Sequence, residues 1–127
     1  MKVENKAKSQ SLETHLKTGR TGEDLACDWL REKGFQILER NWKSGRREID
    51  VIAEHQGSLH FIEVKTRRVL VFGLPETQVN RKKLRHIQSA ATEYLEQHPQ
   101  WRKISFDIVS VMLLPASIQV DLFEDIS

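Results

Sequence analysis

Two short runs of alternating side chains, Glu48–Glu54 and Leu59–Thr66, are separated only by His55-Gln56-Gly57-Ser58. Alternation at a period of two marks strands with one buried face. Gly57 supplies a turn signal, so the runs read as a hairpin with Gln56-Gly57 as a two-residue loop. That loop fixes the register: His55 faces Ser58, Asp50 falls opposite Glu63, and Glu48 falls opposite Lys65. Ile49, Val51, Ala53, Ile62 and Val64 collect on one face as a core face, with His60 at its end. The ionisable groups cluster on the other face. A slip of one residue would exchange the two faces, so burial pins the register.

The flanking sequence supplies elements to pack against this hairpin. Thr21 is a helix N-cap followed by acidic Glu23 and Asp24. Leu25, Ala26, Trp29 and Leu30 form the apolar stripe, and Gly34 stops the helix. Glu23 then lies at the inner edge of the buried side. Phe35–Trp42 is a first strand, and Arg67–Pro75 a loop interrupted by Val69-Leu70-Val71-Phe72. A second helix is predicted over Glu76–Gln97, with Leu84, Ile87, Ala91, Tyr94 and Leu95 inward and Pro99 closing it. Ile104–Leu114 and Ile118–Phe123 complete the order α-β-β-β-α-β-β, an α/β chain. With 127 residues, one domain is expected over 19–127, preceded by a mobile polar arm over 1–18. A single cysteine, Cys27, excludes an intrachain disulfide and a thiolate zinc cluster built from this chain alone. It suits a reducing, cytoplasmic setting. No apolar run approaches the ~20 residues of a membrane span, so no membrane partner is expected.

The chemistry lies in Glu48-Ile49-Asp50 and Glu63-Val64-Lys65. Two carboxylates placed opposite each other repel. A hard divalent cation reverses that cost, and Mg²⁺ (or Mn²⁺) with oxygen ligands is the expected cofactor. Asp50 and Glu63 are its anchors, and the Val64 carbonyl is a third oxygen. Lys65 points into the same site, where an ammonium orients an attacking water or neutralises a phosphate. Glu23 joins them if its helix crosses that face. The bland alternative is a cross-strand Glu48–Lys65 ion pair with both acids solvated.

The wider pattern runs in order along the chain. It comprises Thr21-Gly22-Glu23, Asn41-Trp42, Glu48-Ile49-Asp50-Val51-Ile52-Ala53, Phe61-Ile62-Glu63-Val64-Lys65-Thr66-Arg67 and Phe72-Gly73. Val79-Asn80-Arg81-Lys82, Ala91, Tyr94-Leu95 and Phe106-Asp107-Ile108-Val109 complete it. Over about Gly19 to Leu114 the chain resembles the YraN-type family of small bacterial endonuclease-like proteins. That family belongs to the restriction-endonuclease-like superfamily and is similar to archaeal Holliday-junction resolvases. The resemblance implies a restriction-endonuclease-like core, with a central mixed β-sheet flanked by α-helices and a metal-dependent nuclease site. By motif, Asp50 and Glu63 match the metal-binding acids, Lys65 the catalytic lysine and Glu23 the helical acid. Two positions depart: Arg47 stands where the family usually has Gly, and Ser105 where it usually has Arg.

Basic residues surround the acidic notch. Arg40, Lys43, Arg46 and Arg47 precede it, Arg67 and Arg68 follow Lys65, and Arg81, Lys82, Lys83 and Arg85 sit near the start of the second helix, where Gln78 and Lys82 are expected on one face. A formal net charge of +2 does not by itself call for nucleic acid, but this flanking arrangement suits a phosphate backbone. The expectation is a metal-dependent endonuclease acting on DNA, branched or structured DNA included. Its alternatives are a non-catalytic nucleic-acid-binding module on the same fold, and an interaction protein whose ionic hairpin is structural. A resolvase cutting two strands symmetrically would be a homodimer, with Val69–Phe72 as an apolar contact.

Overall fold

A computed structural model of the chain describes residues 20–71 and 73–126. The arm expected over 1–18 lies outside the described residues. The first helix, α1, spans Gly22–Glu32, and its cap is reciprocal. The Thr21 hydroxyl accepts the Asp24 N–H at 3.1 Å, and Asp24 Oδ2 accepts the Thr21 N–H at 2.9 Å. Two orphan amides are thereby satisfied where the helix begins. Strands β1 (Gln36–Ser44), β2 (Arg47–His55) and β3 (Ser58–Arg68) follow, then α2 (Arg81–Gln97), β4 (Ile104–Leu113) and β5 (Ile118–Phe123). They form one five-stranded sheet in the order β1-β2-β3-β4-β5. Only β3 and β4 are parallel, and α2 is the crossover between them. The chain is thus an α/β protein with a mixed sheet in the expected element order.

The sheet is buried on both faces. Ala26, Cys27, Trp29 and Leu30 of α1 pack with Phe35, Val51, Ala53, Ile62, Val109 and Val111. Ile87, Ala90, Ala91 and Tyr94 of α2 pack on the other side against Ile52, Leu59 and Phe61. The face expected to gather ionisable groups therefore holds a second core, and the charged residues lie at its end. Trp42 is packing rather than a free stacking platform: it meets the Tyr94 ring edge-on at 5.2 Å.

Three local expectations are corrected. The hairpin ladder begins at His55↔Ser58 as expected, but its pairs end at Val51↔Ile62. The expected rungs Asp50↔Glu63 and Glu48↔Lys65 are not in that ladder; on their other sides Glu48 pairs with Lys43 of β1 and Lys65 with Ser110 of β4. Two facing carboxylates disfavour closure of the ladder at Asp50 and Glu63. Ile49 also leaves its assigned face: it packs with the α2 cluster while Val51 packs with the α1 cluster. Alternation thus breaks across Asp50. Finally, α2 starts at Arg81, not Glu76. Asn80 is extended and its side chain accepts the Lys83 N–H at 2.8 Å, an N-cap that ends the preceding segment. The β-branched Thr77 and Val79 add little helical preference before it. Gln78 therefore sits in the connection and does not share a helical face with Lys82.

Close approach seats α1 on β3. A Cβ at Gly22 would lie 1.9 Å from Thr66 Oγ1 and 2.7 Å from Thr66 Cβ, so space, not backbone conformation, demands glycine there. Gly22→Ala is expected to cost about 1–3 kcal/mol, the usual penalty of forced overpacking. Urea unfolding checks it, and Thr66→Ala in the same chain should recover part of the loss.

Candidate acidic site

The site forms where the β2–β3 ladder ends. Val64 N–H, with no β2 carbonyl opposite it in the ladder, donates to Asp50 Oδ2 at 2.8 Å. That bond holds the Asp50 carboxylate between the strands. Glu63 is buried, and its Oε1 has no hydrogen-bond partner among the described residues. The other oxygen, Oε2, lies 3.8 Å from Lys83 Nζ.

Burial raises the pKa of Glu63 to about 7, and the negative charge of Asp50 adds to that rise; Lys83 and Lys65 oppose it. Burial likewise raises Asp50, opposed by the Val64 N–H and reinforced by the charge of Glu23. Asp50, Glu63, Glu23, Lys65 and Lys83 thus feel one another electrostatically. Strand register and motif order bring together all of these except Lys83.

Glu23 is held from behind. Its Oε1 accepts from Asn41 Nδ2 at 2.7 Å and from Arg40 Nη2 at 3.1 Å. Arg40 also reaches Asp24 Oδ1 at 2.8 Å, which helps bring Asp24 down to about 2, after the Thr21 N–H as the largest cause. Strand β1 can aim both residues at α1 because it is irregular. Its register shifts between Ile37 and Glu39, and Asn41 has φ 52°, a left-handed conformation that asparagine tolerates. Arg40 and Asn41 therefore position Glu23, a role that spacing along the chain did not reveal.

Arg46, Arg47, Arg67, Arg68, Gln78 and Lys82 are all exposed. Arg46 lies in the turn between β1 and β2, and Arg47 opens β2. Arg67 and Arg68 end β3, continuing the strand where a loop was expected. A shallow depression lined by Lys65, Thr66, Arg67 and Glu76 adjoins them.

A second cluster is assembled from distant residues. Ligand atoms of His60, Asp107 and Glu124 lie within 4.8 Å of one another and could hold a metal ion. His60 Nδ1 is 2.6 Å from Asp107 Oδ2, while Ser105 Oγ and the Asp125 N–H donate to Asp107 Oδ1 at 2.6 and 3.0 Å. Both oxygens of Asp107 are therefore engaged in tying β3, β4 and the C-terminal segment together. Histidine spacing along the chain did not suggest this group, because its partners come from three separate segments.

Fold and site define a small α/β protein whose mixed sheet carries a buried and a half-buried carboxylate side by side, flanked by lysines and an exposed basic rim. The family model described as Uncharacterised protein family UPF0102 matches residues 22–111, and the chain belongs to this YraN-like family. It is 47% identical over 96 residues to a UPF0102 protein of Dictyoglomus thermophilum, covering 75% of this chain and 81% of that one. A Rhodococcus opacus relative is 43% identical over 100 residues, covering 78% and 85%. A Flavobacterium psychrophilum relative is 37% identical over 111 residues, covering 87% and 93%.

The pKa of Glu63 predicts how stability depends on pH. The folded chain holds this proton up to about pH 7, while an unfolded glutamate releases it near 4.5. The native state therefore binds more protons between those values, and stability falls as pH rises through that window. Glu63→Gln should stabilise the protein at pH 8, by on the order of 2–3 kcal/mol. The gain should vanish near pH 4.5, as read by denaturant unfolding at the two pH values.

Proposed function

We propose that the chain is a divalent-cation-dependent endonuclease that hydrolyses phosphodiester bonds in DNA, structured DNA included. One observation carries the reading: a buried glutamate oxygen without a donor stands beside the half-buried carboxylate of Asp50. Such a pair costs stability unless something cationic is drawn to it. Its all-oxygen donor set suits Mg²⁺ or Mn²⁺.

Asp50 and Glu63 would hold the ion. Val64 N–H fixes Asp50 Oδ2 and leaves Oδ1 for binding. In an extended strand the N–H and C=O of one residue point to the same side, so the Val64 carbonyl also faces this gap. It is the third oxygen. When bound, the cation would polarise a phosphoryl oxygen and lower the pKa of an attacking water. Lys65 orients that water or neutralises the phosphate. Glu23, steadied by Arg40 and Asn41, faces the same pocket as an acidic partner for the water shell. Arg46, Arg47, Arg67, Arg68, Gln78 and Lys82 supply the rim that holds the backbone, a sequence-independent contact. Symmetric cutting of two strands would need two copies. The exposed Leu70 and Val71 beside this rim are the apolar surface for that contact; Phe72 lies outside the described residues.

A panel of linear, nicked, flapped and four-way DNA, with RNA alongside, tests the reading in Mg²⁺ or Mn²⁺. Asp50→Asn and Lys65→Ala should each lower cleavage by about 100-fold or more. Cleavage that survives both substitutions rejects the mechanism. DNA binding without turnover under either cation would instead favour a binding module on the nuclease fold. Replacing Arg67 and Arg68 by Gln should weaken DNA binding equally across sequences. It should also flatten the log–log salt dependence by about 2, close to one unit for each phosphate no longer neutralised.

A further inference from the structure

We infer that Lys83 is the resident counter-ion of the acidic site: its ammonium keeps the place beside Glu63 that a divalent cation takes, and cation binding releases it toward the phosphate of a bound strand. This rests on the proposed metal site and adds a residue that neither the spacing nor the motif order singled out.

Position is the first support. Lys83 lies in the opening turn of α2, and its backbone N–H is tied to Asn80 Oδ1 at 2.8 Å. The cap fixes the main chain at the point from which the side chain reaches Glu63. Contact is the second. Lys83 Nζ lies 3.8 Å from Glu63 Oε2, an ion pair longer than a charge-assisted hydrogen bond. The lysine side chain is 43% exposed and the glutamate side chain 10%. A part-exposed ammonium therefore rests against a buried carboxylate. Arg40 behaves differently, bonding Glu23 and Asp24 together at 2.8–3.2 Å.

Exclusion is the third support. An ammonium and a divalent cation on one carboxylate repel each other strongly at contact distance. Entry of the cation should therefore displace Lys83, the partner with the weaker hold and the open route to solvent. A four-carbon stem then lets the ammonium reach anionic substrate near the same mouth.

Titration of the full chain with Mn²⁺ by calorimetry tests this, at pH 8.5 where protons compete least for the carboxylates. Lys83→Gln is expected to bind Mn²⁺ roughly three- to fivefold tighter than wild type, the upper range for loss of one exposed ion pair. Arg85→Gln removes the same charge from the same helix and should match wild type. A Lys83→Gln titration indistinguishable from that of Arg85→Gln overturns the inference. For the second half, binding of a DNA duplex is compared in EDTA and in Ca²⁺. Ca²⁺ should strengthen wild-type binding at least threefold more than it strengthens Lys83→Gln. An equal gain in the two proteins refutes the release. Glu63→Gln separates the layers: if Mn²⁺ affinity is unchanged in that variant, which retains Lys83, the metal site itself fails.

Discussion

The hydrogen bond from Val64 N–H to Asp50 is the interaction on which the arrangement depends. Strands β2 and β3 pair regularly from their turn to Val51↔Ile62. One residue further on, regular pairing would press Asp50 against Glu63. The side chain of Asp50 takes the amide instead, so the Val64 N–H keeps a partner where the ladder ends. The same event leaves the carboxylates of Asp50 and Glu63 where the next rung of the ladder would lie. A sheet defect and an acidic site are thus one feature.

Packing on both faces anchors the sheet around that break in the ladder. Helix α1 anchors one side through Ala26, Cys27, Trp29 and Leu30, and Gly22 lets its first turn settle onto Thr66. Glu23 follows directly and is brought to the site by that contact. Helix α2 anchors the other side through Ile87, Ala90, Ala91 and Tyr94, and its capped first turn delivers Lys83. Each helix therefore contributes a charged residue from its N-terminal turn to one end of the sheet. The parallel β3–β4 pair, long and regular from Leu59 to Arg68, keeps Glu63 and Lys65 in place while β2 departs.

The sequence made most of this frame legible because its cause is local. Period-two runs gave the strands, Gly57 gave the turn, and Thr21 with its acidic followers gave the start of α1. Asp50, Glu63 and Lys65 were legible for the same reason: two residues of one strand and one of its neighbour are related by counting. Ile49 was not, since the count assumes a regular strand and β2 is irregular at Asp50. Lys83 was legible only as one of a basic cluster; its contact with Glu63 was hidden because a helix crossover, not a register, brings it there. The start of α2 was misplaced because Asn80 ends the extended connection through its own cap, a competition that apolar periodicity does not report. His60, Asp107 and Glu124 converge only after the sheet and the C-terminal segment are assembled.

The three acids of the site differ in how fully they are satisfied, and the order is informative. Glu23 Oε1 accepts from both Arg40 and Asn41, so its charge is stabilised by the protein itself. Asp50 has one backbone amide and remains pushed upward by burial. Glu63 shares a side-chain hydrogen bond with Asp50, has an ammonium 3.8 Å from Oε2, and has no partner on Oε1 among the described residues. A structural ion pair would place its best donors on the most buried acid, because that is where desolvation costs most. Here the donors go to the peripheral acid, and the innermost one is left wanting. Such a gradient fits a site whose central charge is to be satisfied by something that arrives. The innermost carboxyl is also the one that burial and the neighbouring Asp50 push up to about 7.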